Sequence, residues 1–177
     1  MVKARIYVIR YGSDDPKKST ALKLVRFGLA HRVSPKQLPK YVVVLDPFSN
    51  EVLTPNDRYY VINYGLAVVD TSWNQINEVK ELFRRLRGVH RILPLLKAGN
   101  PINYGVLSKL SSAEALAAAL YIVGLKEQAK EILNKFKWGH TFFELNNELL
   151  ERYSKAKSKE EVIEIQNELL RKVRISE

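Results

Sequence analysis

The feature that most constrains the fold is an apolar run that ends abruptly in polar residues. Residues 65–73 read Gly-Leu-Ala-Val-Val-Asp-Thr-Ser-Trp, so a carboxylate, two hydroxyls and an indole follow directly after the apolar side chains. Such a run is typical of a strand buried on both faces, as in a parallel sheet covered by helices. Ligands of open α/β sheets bind beyond the carboxyl ends of these strands. We therefore expect a ligand site near Asp70 and Trp73.

Strands and helices alternate over residues 1–93. Apolar and β-branched runs predict further strands at 4–9, 41–45 and 89–93. Apolar residues at helical spacing predict helices at 21–29 and 72–86, each with a basic exposed face. The polar stretch 48–64 contains Pro55 and predicts a connection with a turn. This alternation favours an α/β protein with a mostly parallel sheet.

The pattern changes after residue 93, where no further strand is predicted. Residues 97–105 form a loop rich in glycine, asparagine and proline. A capping box from Ser111 to Glu114 opens a helix that ends at Gly124. Three amphipathic helices follow at 125–136, 138–153 and 158–173, and the last opens with a second capping box at Ser158. We expect an α/β domain at 1–93 and an all-helical domain at 94–177 packed on it.

Charge and composition narrow the class of partner. Lys and Arg outnumber Asp and Glu by 29 to 19, and this excess favours a polyanion such as RNA or DNA. The chain has no cysteine and three separated histidines, so we expect neither a disulfide framework nor a metal site. The longest apolar run, 115–123, is far shorter than the ~20 residues that cross a bilayer. We expect a cytoplasmic protein that does not contact a membrane.

Several common catalytic motifs are missing from the sequence. It has no Gly-x-Gly-x-x-Gly after a strand, no Gly-Lys-Ser/Thr loop, no nucleophile elbow and no His-Glu-x-x-His. Rossmann dinucleotide-binding enzymes, Rossmann methyltransferases and P-loop nucleotide triphosphatases are therefore disfavoured. The residues alone predict a basic α/β protein that has a pocket near Asp70 and Trp73 and touches nucleic acid.

A resemblance to a known family goes further. Short motifs occur in order along the chain: Asp-Pro-Lys-Lys-Ser-Thr at 15–20, Asp-Thr-Ser-Trp at 70–73, Arg-Ile-Leu-Pro-Leu at 91–95, Asn-Pro-Ile-Asn-Tyr-Gly at 100–105, Leu-Ser-Ser-Ala-Glu-Ala at 110–115 and Trp-Gly at 138–139. Together they resemble the small-subunit ribosomal RNA aminocarboxypropyltransferases, in an archaeal form. The resemblance extends from residue 4 to about residue 155.

This resemblance implies a fold and a reaction. The fold would be SPOUT-like: a mostly parallel five-stranded sheet with flanking helices and a deep trefoil knot, then a helical domain, with the cofactor at the junction. The loops of the knot would bind S-adenosylmethionine in a bent conformation. The enzyme would transfer the 3-amino-3-carboxypropyl group to N3 of a uridine or pseudouridine in small-subunit rRNA and release 5′-methylthioadenosine.

The resemblance also implies roles for particular residues. Asp70 is the candidate catalytic residue, as general base or as electrostatic partner of the sulfonium, unless it only caps the following helix. The residues expected around the cofactor combine hydroxyls, apolar walls and an indole beside the methyl group; they are Ser19, Thr20, Leu45, Pro47, Val69, Trp73, Leu93, Ser108, Leu110, Ser112 and Ala115.

Basic residues near these motifs are candidates for binding rRNA or a pre-ribosomal subunit, although any single basic residue is more often a solvated surface charge. They are Lys17, Lys18, Lys23, Arg26, Arg85 and Arg91. Two other functions stay open: an RNA methyltransferase on the same fold, and a non-catalytic rRNA-binding assembly factor. We expect a monomer, because the helical half would cover the apolar surface that many knotted methyltransferases bury by dimerising.

Overall fold

The computed structural model describes residues 1–12 and 15–176, apart from the side chains of Trp73, Ile175 and Ser176. Five strands form one sheet in the order β2-β1-β4-β3-β5, and all neighbouring strands are parallel. Their bounds are β1 Ile6–Tyr11, β2 His31–Arg32, β3 Val43–Leu45, β4 Leu66–Thr71 and β5 Val89–Arg91. The predicted α/β fold with a five-stranded parallel sheet is confirmed.

Seven helices accompany the sheet in the described ranges. They are α1 Thr20–Arg26, α2 Arg58–Tyr64, α3 Ile76–Arg85, α4 Ser112–Ile122, α5 Lys126–Leu133, α6 Gly139–Lys155 and α7 Lys159–Ser176. After β5, the described part of the chain has no named strand, and Lys97 and Leu107 form an isolated antiparallel bridge. None of these described helices is long and apolar enough to cross a membrane.

Strand β4 lies at the centre of the sheet, as its apolar sequence predicts. It pairs with β1 along its whole length and with β3 on its other side. Leu66 and Val68 belong to one apolar core, whereas Ala67 and Val69 belong to the other. Since side chains alternate along a strand, Asp70 continues the face of Val68 and Thr71 continues the face of Val69.

The two faces of the sheet are covered unequally. Helix α3 packs Val79 and Phe83 against the face that carries Val69. The larger core, on the face that carries Val68, includes residues of α1, α2 and all four helices after β5. Because this core is shared by both halves of the chain, it gives no sign of a boundary, and the division at residue 93 stays a prediction.

Three elements differ from the sequence expectation. Residues 58–64 form helix α2, although the sequence predicts a connection there. The helix was missed because the Tyr-Tyr-Val-Ile-Asn-Tyr run has weak helix propensity and buries only Val61. Strand β2 has two exposed residues and no pattern of its own. Helix α1 also ends earlier than predicted, because Gly28 adopts a φ of 74° that an α-helix does not contain.

The predicted capping box at α4 is confirmed in both halves. The Glu114 N–H donates to Ser111 Oγ at 3.2 Å, and the Ser111 N–H donates to Glu114 Oε1 at 2.9 Å. At α7, the Glu161 N–H donates to Ser158 Oγ, but the Glu161 carboxylate accepts from the Lys157 N–H instead. The second box is therefore only half formed, and its carboxylate caps the preceding residue.

Candidate active site

A cavity of about 870 Å³ lies at the carboxyl edge of the sheet. Its walls come from the segment after β3, the end of β4, residues 92–96 after β5, and residues 108–112 before α4. Ile163 and Gln166 of α7 close one side. The cavity lies where parallel pairing brings the carboxyl ends of β3, β4 and β5 together, which is the usual ligand position in an open α/β sheet.

Eight of the eleven residues predicted around a cofactor line this cavity. They come from every part of its wall: Leu45, Pro47, Val69, Leu93, Ser108, Leu110, Ser112 and Ala115. Sequence reasoning missed Thr71, Lys109 and Gln166, which also line it. Thr71 could have been found from its position two residues beyond Val69 on the same strand face.

The irregular segment before α4 is held by a fully buried carboxylate. Glu114 accepts hydrogen bonds from the Gly99 N–H at 2.7 Å, from Asn100 Nδ2 at 2.6 Å and from the Ser111 N–H at 2.9 Å. Three donors from both ends of the segment therefore converge on one side chain. This arrangement fixes the loop that carries Ser108 and Leu110 into the cavity wall.

Side chains of α6 and α7 hold the neighbouring part of the wall. Asn146 both accepts from the Lys97 N–H and donates to the Lys97 carbonyl, each at 2.8 Å. The Tyr153 hydroxyl donates to the Leu95 carbonyl at 2.9 Å, and burial raises the pKa of Tyr153, so this hydroxyl keeps its proton. Gln166 accepts from the Leu95 N–H at 3.1 Å. The helices thus fix the backbone of 95–97 directly.

Ser108 adopts a backbone conformation that is uncommon for a residue with a side chain. Its φ is 61°, and it is the one non-glycine residue with positive φ in the described ranges. Residues held in this region often belong to ligand sites, where the surrounding structure maintains the strain. At Ser108 the Leu96 carbonyl accepts the backbone N–H at 3.0 Å, which holds the residue at the cavity wall.

Asp70 lies beside the cavity and is not one of its lining residues. Its Oδ2 accepts from Arg10 Nη1 at 2.8 Å and from Ser19 Oγ at 2.6 Å. The side chains of Arg10 and Asp70 are 7% and 15% exposed, so this ion pair is largely shielded from water. Sequence reasoning missed Arg10, although the register pairs it directly with Asp70 across β1 and β4.

The hydroxyls of Ser19 and Thr20 both join parts of the site. Ser19 Oγ caps α1 by accepting from the Leu22 N–H at 3.0 Å while it donates to Asp70. Thr20 Oγ1 accepts from the Ala113 N–H at 3.0 Å and so joins the start of α1 to the start of α4. Neither residue lines the cavity. The prediction for the Trp73 side chain falls outside the part of the chain that the structure describes.

The predicted RNA-binding residues divide into two groups. Lys17, Lys18 and Arg26 are exposed around α1, with Lys23 lying 5.0 Å from the Phe136 ring. Two others are engaged by carboxylates, because Arg85 pairs with Glu81 and Arg91 donates to the buried Asp57; these two lie on α3 and β5. The α1 group forms no ion pair with a carboxylate of the described residues, whereas Arg85 forms one although its side chain is exposed.

Comparisons with known proteins place the chain in a family. A sequence model described as "Ribosome biogenesis protein, C-terminal" matches residues 43–170. The 16S rRNA aminocarboxypropyltransferase of Sulfurisphaera tokodaii is 44% identical over 96% of this chain and 97% of its own length. The enzyme of the same name from Methanosarcina mazei is 46% identical over 92% of each. The chain belongs to the 16S rRNA aminocarboxypropyltransferase family.

The same family appears among solved structures. The SAM-dependent rRNA acp-transferase Tsr3 from Vulcanisaeta distributa superposes with a TM-score of 0.84 and 42% identity, covering 97% of both chains. A further sequence model, described as a possible Fer4-like domain in RNase L inhibitor, matches residues 4–36. Iron–sulfur clusters of that kind need cysteine thiolates, and this chain has no cysteine, so its residues do not fit such a cluster.

Proposed function

We propose that this protein is an S-adenosylmethionine-dependent rRNA aminocarboxypropyltransferase that acts in ribosome biogenesis. The observation that carries the proposal is the cavity at the carboxyl edge of the sheet, which gathers eight residues expected around the cofactor. The family resemblance extends over nearly the whole chain, so both walls of this cavity are included. The finer proposal is that the acceptor is N3 of a uridine or pseudouridine in small-subunit rRNA.

The size and lining of the cavity fit this cofactor. Pockets of about 300–1,000 Å³ with apolar walls and a few polar groups hold ligands of this kind. Leu45, Leu93 and Leu110 supply apolar walls, and Ser108 and Ser112 supply hydroxyls. The Ser112 N–H, at the start of α4, donates to no acceptor among the described residues. This donor and the helix dipole suit a carboxylate such as that of the cofactor's amino acid arm.

The walls decide which group is transferred. When bound, S-adenosylmethionine supplies three activated carbons around its sulfonium, and the reacting one must lie ~3–3.5 Å from the nucleophile. Rigid walls select among the three by leaving one carbon accessible to RNA. The fixed backbone of 95–97 and the loop held by Glu114 supply that rigidity.

Asp70 remains the candidate for two alternative roles, general base or positioning residue, and its hydrogen bonds to Arg10 and Ser19 favour positioning. Its Oδ2 is held by Arg10 and Ser19, whereas its Oδ1 accepts no hydrogen bond from the described residues. A general base would require this oxygen to reach the N3 proton of the acceptor. As a base, Asp70→Asn would lower kcat by about 10²–10⁴-fold with unchanged cofactor affinity. As a positioning residue, it would weaken cofactor binding, and Ser19→Ala would do so too.

The test uses purified protein, small-subunit rRNA and S-adenosylmethionine labelled in its carboxyl group. We expect label in the RNA and release of 5′-methylthioadenosine. Ala115→Leu, which adds three carbons at the cavity wall, should lower both, whereas Ala115→Ser keeps the side chain small and should preserve them. A methyl transfer with S-adenosylhomocysteine release would replace this proposal by an RNA methyltransferase. RNA binding without cofactor binding would replace it by an assembly factor.

We also propose that the chain contains the deep trefoil knot of a SPOUT-like fold. In support of this proposal, strand β5 lies at the sheet edge while α4, the next helix, packs against α1 and β4. A knot would require residues 92–111 to pass through the loops after β3 and β4. The test is to pull the two termini of a single molecule apart and to measure the length of the stretched chain. A knotted chain stretches to less than the roughly 3.3–3.6 Å per residue of a fully extended one. A full-length extension would exclude the knot.

We also propose that the protein is a monomer and acts in the cytoplasm. The larger core already joins α4–α7 to the sheet, so this face needs no second copy to cover it. Light scattering should give the 20.4 kDa mass of one chain, and a dimer mass would exclude the monomer.

A further inference from the structure

Four tyrosines form a continuous cluster around α2 and the chain before β3. Ring centroids of Tyr41 and Tyr64 lie 5.3 Å apart, those of Tyr59 and Tyr64 6.3 Å, and those of Tyr59 and Tyr60 5.5 Å. The interplanar angles of these three pairs are 63°, 72° and 79°, so the rings meet edge to face. We call Tyr41, Tyr59, Tyr60 and Tyr64 the tyrosine cluster.

The cluster presents aromatic surface to solvent from a rigid base. Tyr59 is 61% exposed and Tyr41 is 44% exposed, although both are large aromatic residues. Tyr60 packs against the larger core and anchors the group. The Tyr7 ring lies so close to Gly65, the residue after Tyr64, that a Cβ on Gly65 would be 2.6 Å from it. The exposed rings are therefore attached to closely packed residues, which restrict their movement.

The surroundings of the cluster are basic. Lys40 Nζ lies 5.4 Å from the Tyr41 ring centroid. Arg5, whose carbonyl accepts the Leu66 N–H beside Gly65, and Lys40 form no ion pair with any carboxylate in the described ranges. The segments 1–9, 35–45 and 58–69 contain no Asp or Glu at all. A hydrogen bond to Tyr59 raises the pKa of Tyr64, so the Tyr64 phenol stays neutral and does not repel an anion.

This surface is separate from the cavity. Tyr64 precedes β4 and Tyr41 precedes β3, so the cluster lies at the amino ends of the strands. The cavity lies at their carboxyl ends. Strand β4 has six residues, and at ~3.3 Å per residue it keeps the two surfaces about 20 Å apart. A residue of the cluster can therefore touch RNA without touching the reacting atoms.

We propose that the tyrosine cluster is a stacking platform for unpaired bases of the RNA substrate. Neutral aromatic rings beside uncompensated cations are the combination that holds single strands, since each base can stack on a ring while the cations attract the backbone. The inference rests on the proposed function for the identity of the RNA. It adds a second contact, on the opposite edge of the sheet from the cofactor cavity.

Binding to a short fluorescein-labelled oligouridine, measured by anisotropy with the full-length protein, tests the platform. Tyr41→Ala and Tyr59→Ala should each weaken binding by roughly 5- to 150-fold, the range for loss of one base stack. Tyr59→Phe keeps the ring and should preserve affinity. Asn63→Ala removes an exposed polar side chain from the same helix and serves as the matched control. The affinity for an RNA duplex of equal length should be the same in the tyrosine variants as in the wild-type protein, because its bases are paired.

Unchanged oligouridine affinity in the Tyr41→Ala, Tyr59→Ala double variant overturns the platform. Equal losses for Tyr59→Phe and Tyr59→Ala would overturn it too, because stacking does not need the hydroxyl. A double variant that changes only the mass in light scattering would assign the cluster to a contact between two copies. The transfer assay separates the two proposals. Wild-type protein that binds oligouridine through the tyrosines but transfers no label leaves the platform standing and removes the enzymatic proposal.

Discussion

Replacing Glu114 by Gln removes the carboxylate that holds the loop before α4. In the protein, Oε1 accepts from Asn100 Nδ2 and the Ser111 N–H, and Oε2 accepts from the Gly99 N–H. A glutamine has one acceptor oxygen. If that oxygen takes the Oε1 position, its amide nitrogen faces the Gly99 N–H, and two donors then oppose each other inside a fully buried site.

The cost follows from this geometry. One hydrogen bond to a charged group is lost, the buried Gly99 N–H is left without an acceptor, and the two remaining bonds lose their charged partner. Together these changes should lower the free energy of unfolding by about 2–4 kcal/mol. Glu114 is also the third residue of α4, and the helix dipole favours a negative charge at this position by roughly 0.3–1 kcal/mol.

Urea unfolding measures the stability change, and calorimetric titration with S-adenosylmethionine measures the effect on the cavity. The loop carries Ser108 and Leu110, so cofactor affinity should fall tenfold for each ~1.4 kcal/mol needed to re-order it. Glu164→Gln makes the same chemical change at an exposed position and should alter neither quantity. The reasoning is refuted if Glu114→Gln matches Glu164→Gln in both measurements.

Three further results are expected. Lys126 and Tyr121 hold the pKa of Glu151 at about 2, so stability should fall as pH drops from about 4.5 towards 2, and urea unfolding of Glu151→Gln should lack this part of the acid dependence. Gly99→Ala puts a Cβ 2.6 Å from the Phe142 nitrogen and should lower the free energy of unfolding in urea by about 1–3 kcal/mol or more. Affinity for single-stranded RNA should fall steeply with salt, by a log–log slope of about −0.7 for each phosphate contacted; a flat response would contradict an electrostatic RNA surface.

Strand ends were the most predictable part of the site. Leu45, Val69 and Leu93 close or follow three apolar runs, and parallel pairing alone brings the carboxyl ends of such strands to one edge. The α4 capping box was equally readable, because its Ser-x-x-Glu pattern and its hydrogen bonds are local. What these features share is that residues near in sequence, or one general rule of sheets, determine them.

Ser108 and helix α2 depend on contacts that local patterns do not contain. Ser108 lies in an irregular loop whose conformation is set by Glu114 and by the Leu96 carbonyl, so no periodicity locates it, and it was expected from the family resemblance alone. Helix α2 combines aromatic residues that favour strands with a single buried valine. Its formation follows from the tyrosine cluster and from Arg58, which donates to the Val123 carbonyl at 2.8 Å.

The alternation of side chains along β4 explains why Asp70 and the cavity are neighbours without being one surface. Val69 and Thr71 point towards the α3 side and line the cavity. Asp70 points to the other face, where its carboxylate accepts hydrogen bonds from Arg10 of β1 and from Ser19 before α1. We therefore expect Asp70 to act on the cavity through its hydrogen bond to Ser19, which caps α1, while Thr20 connects the start of α1 to the start of α4. A change at Asp70 should move the two helix starts together, whereas a change at Thr71 should act on the bound cofactor directly. Cofactor affinity that falls for both Asp70→Asn and Ser19→Ala, with no further loss in the double variant, is the result this path requires.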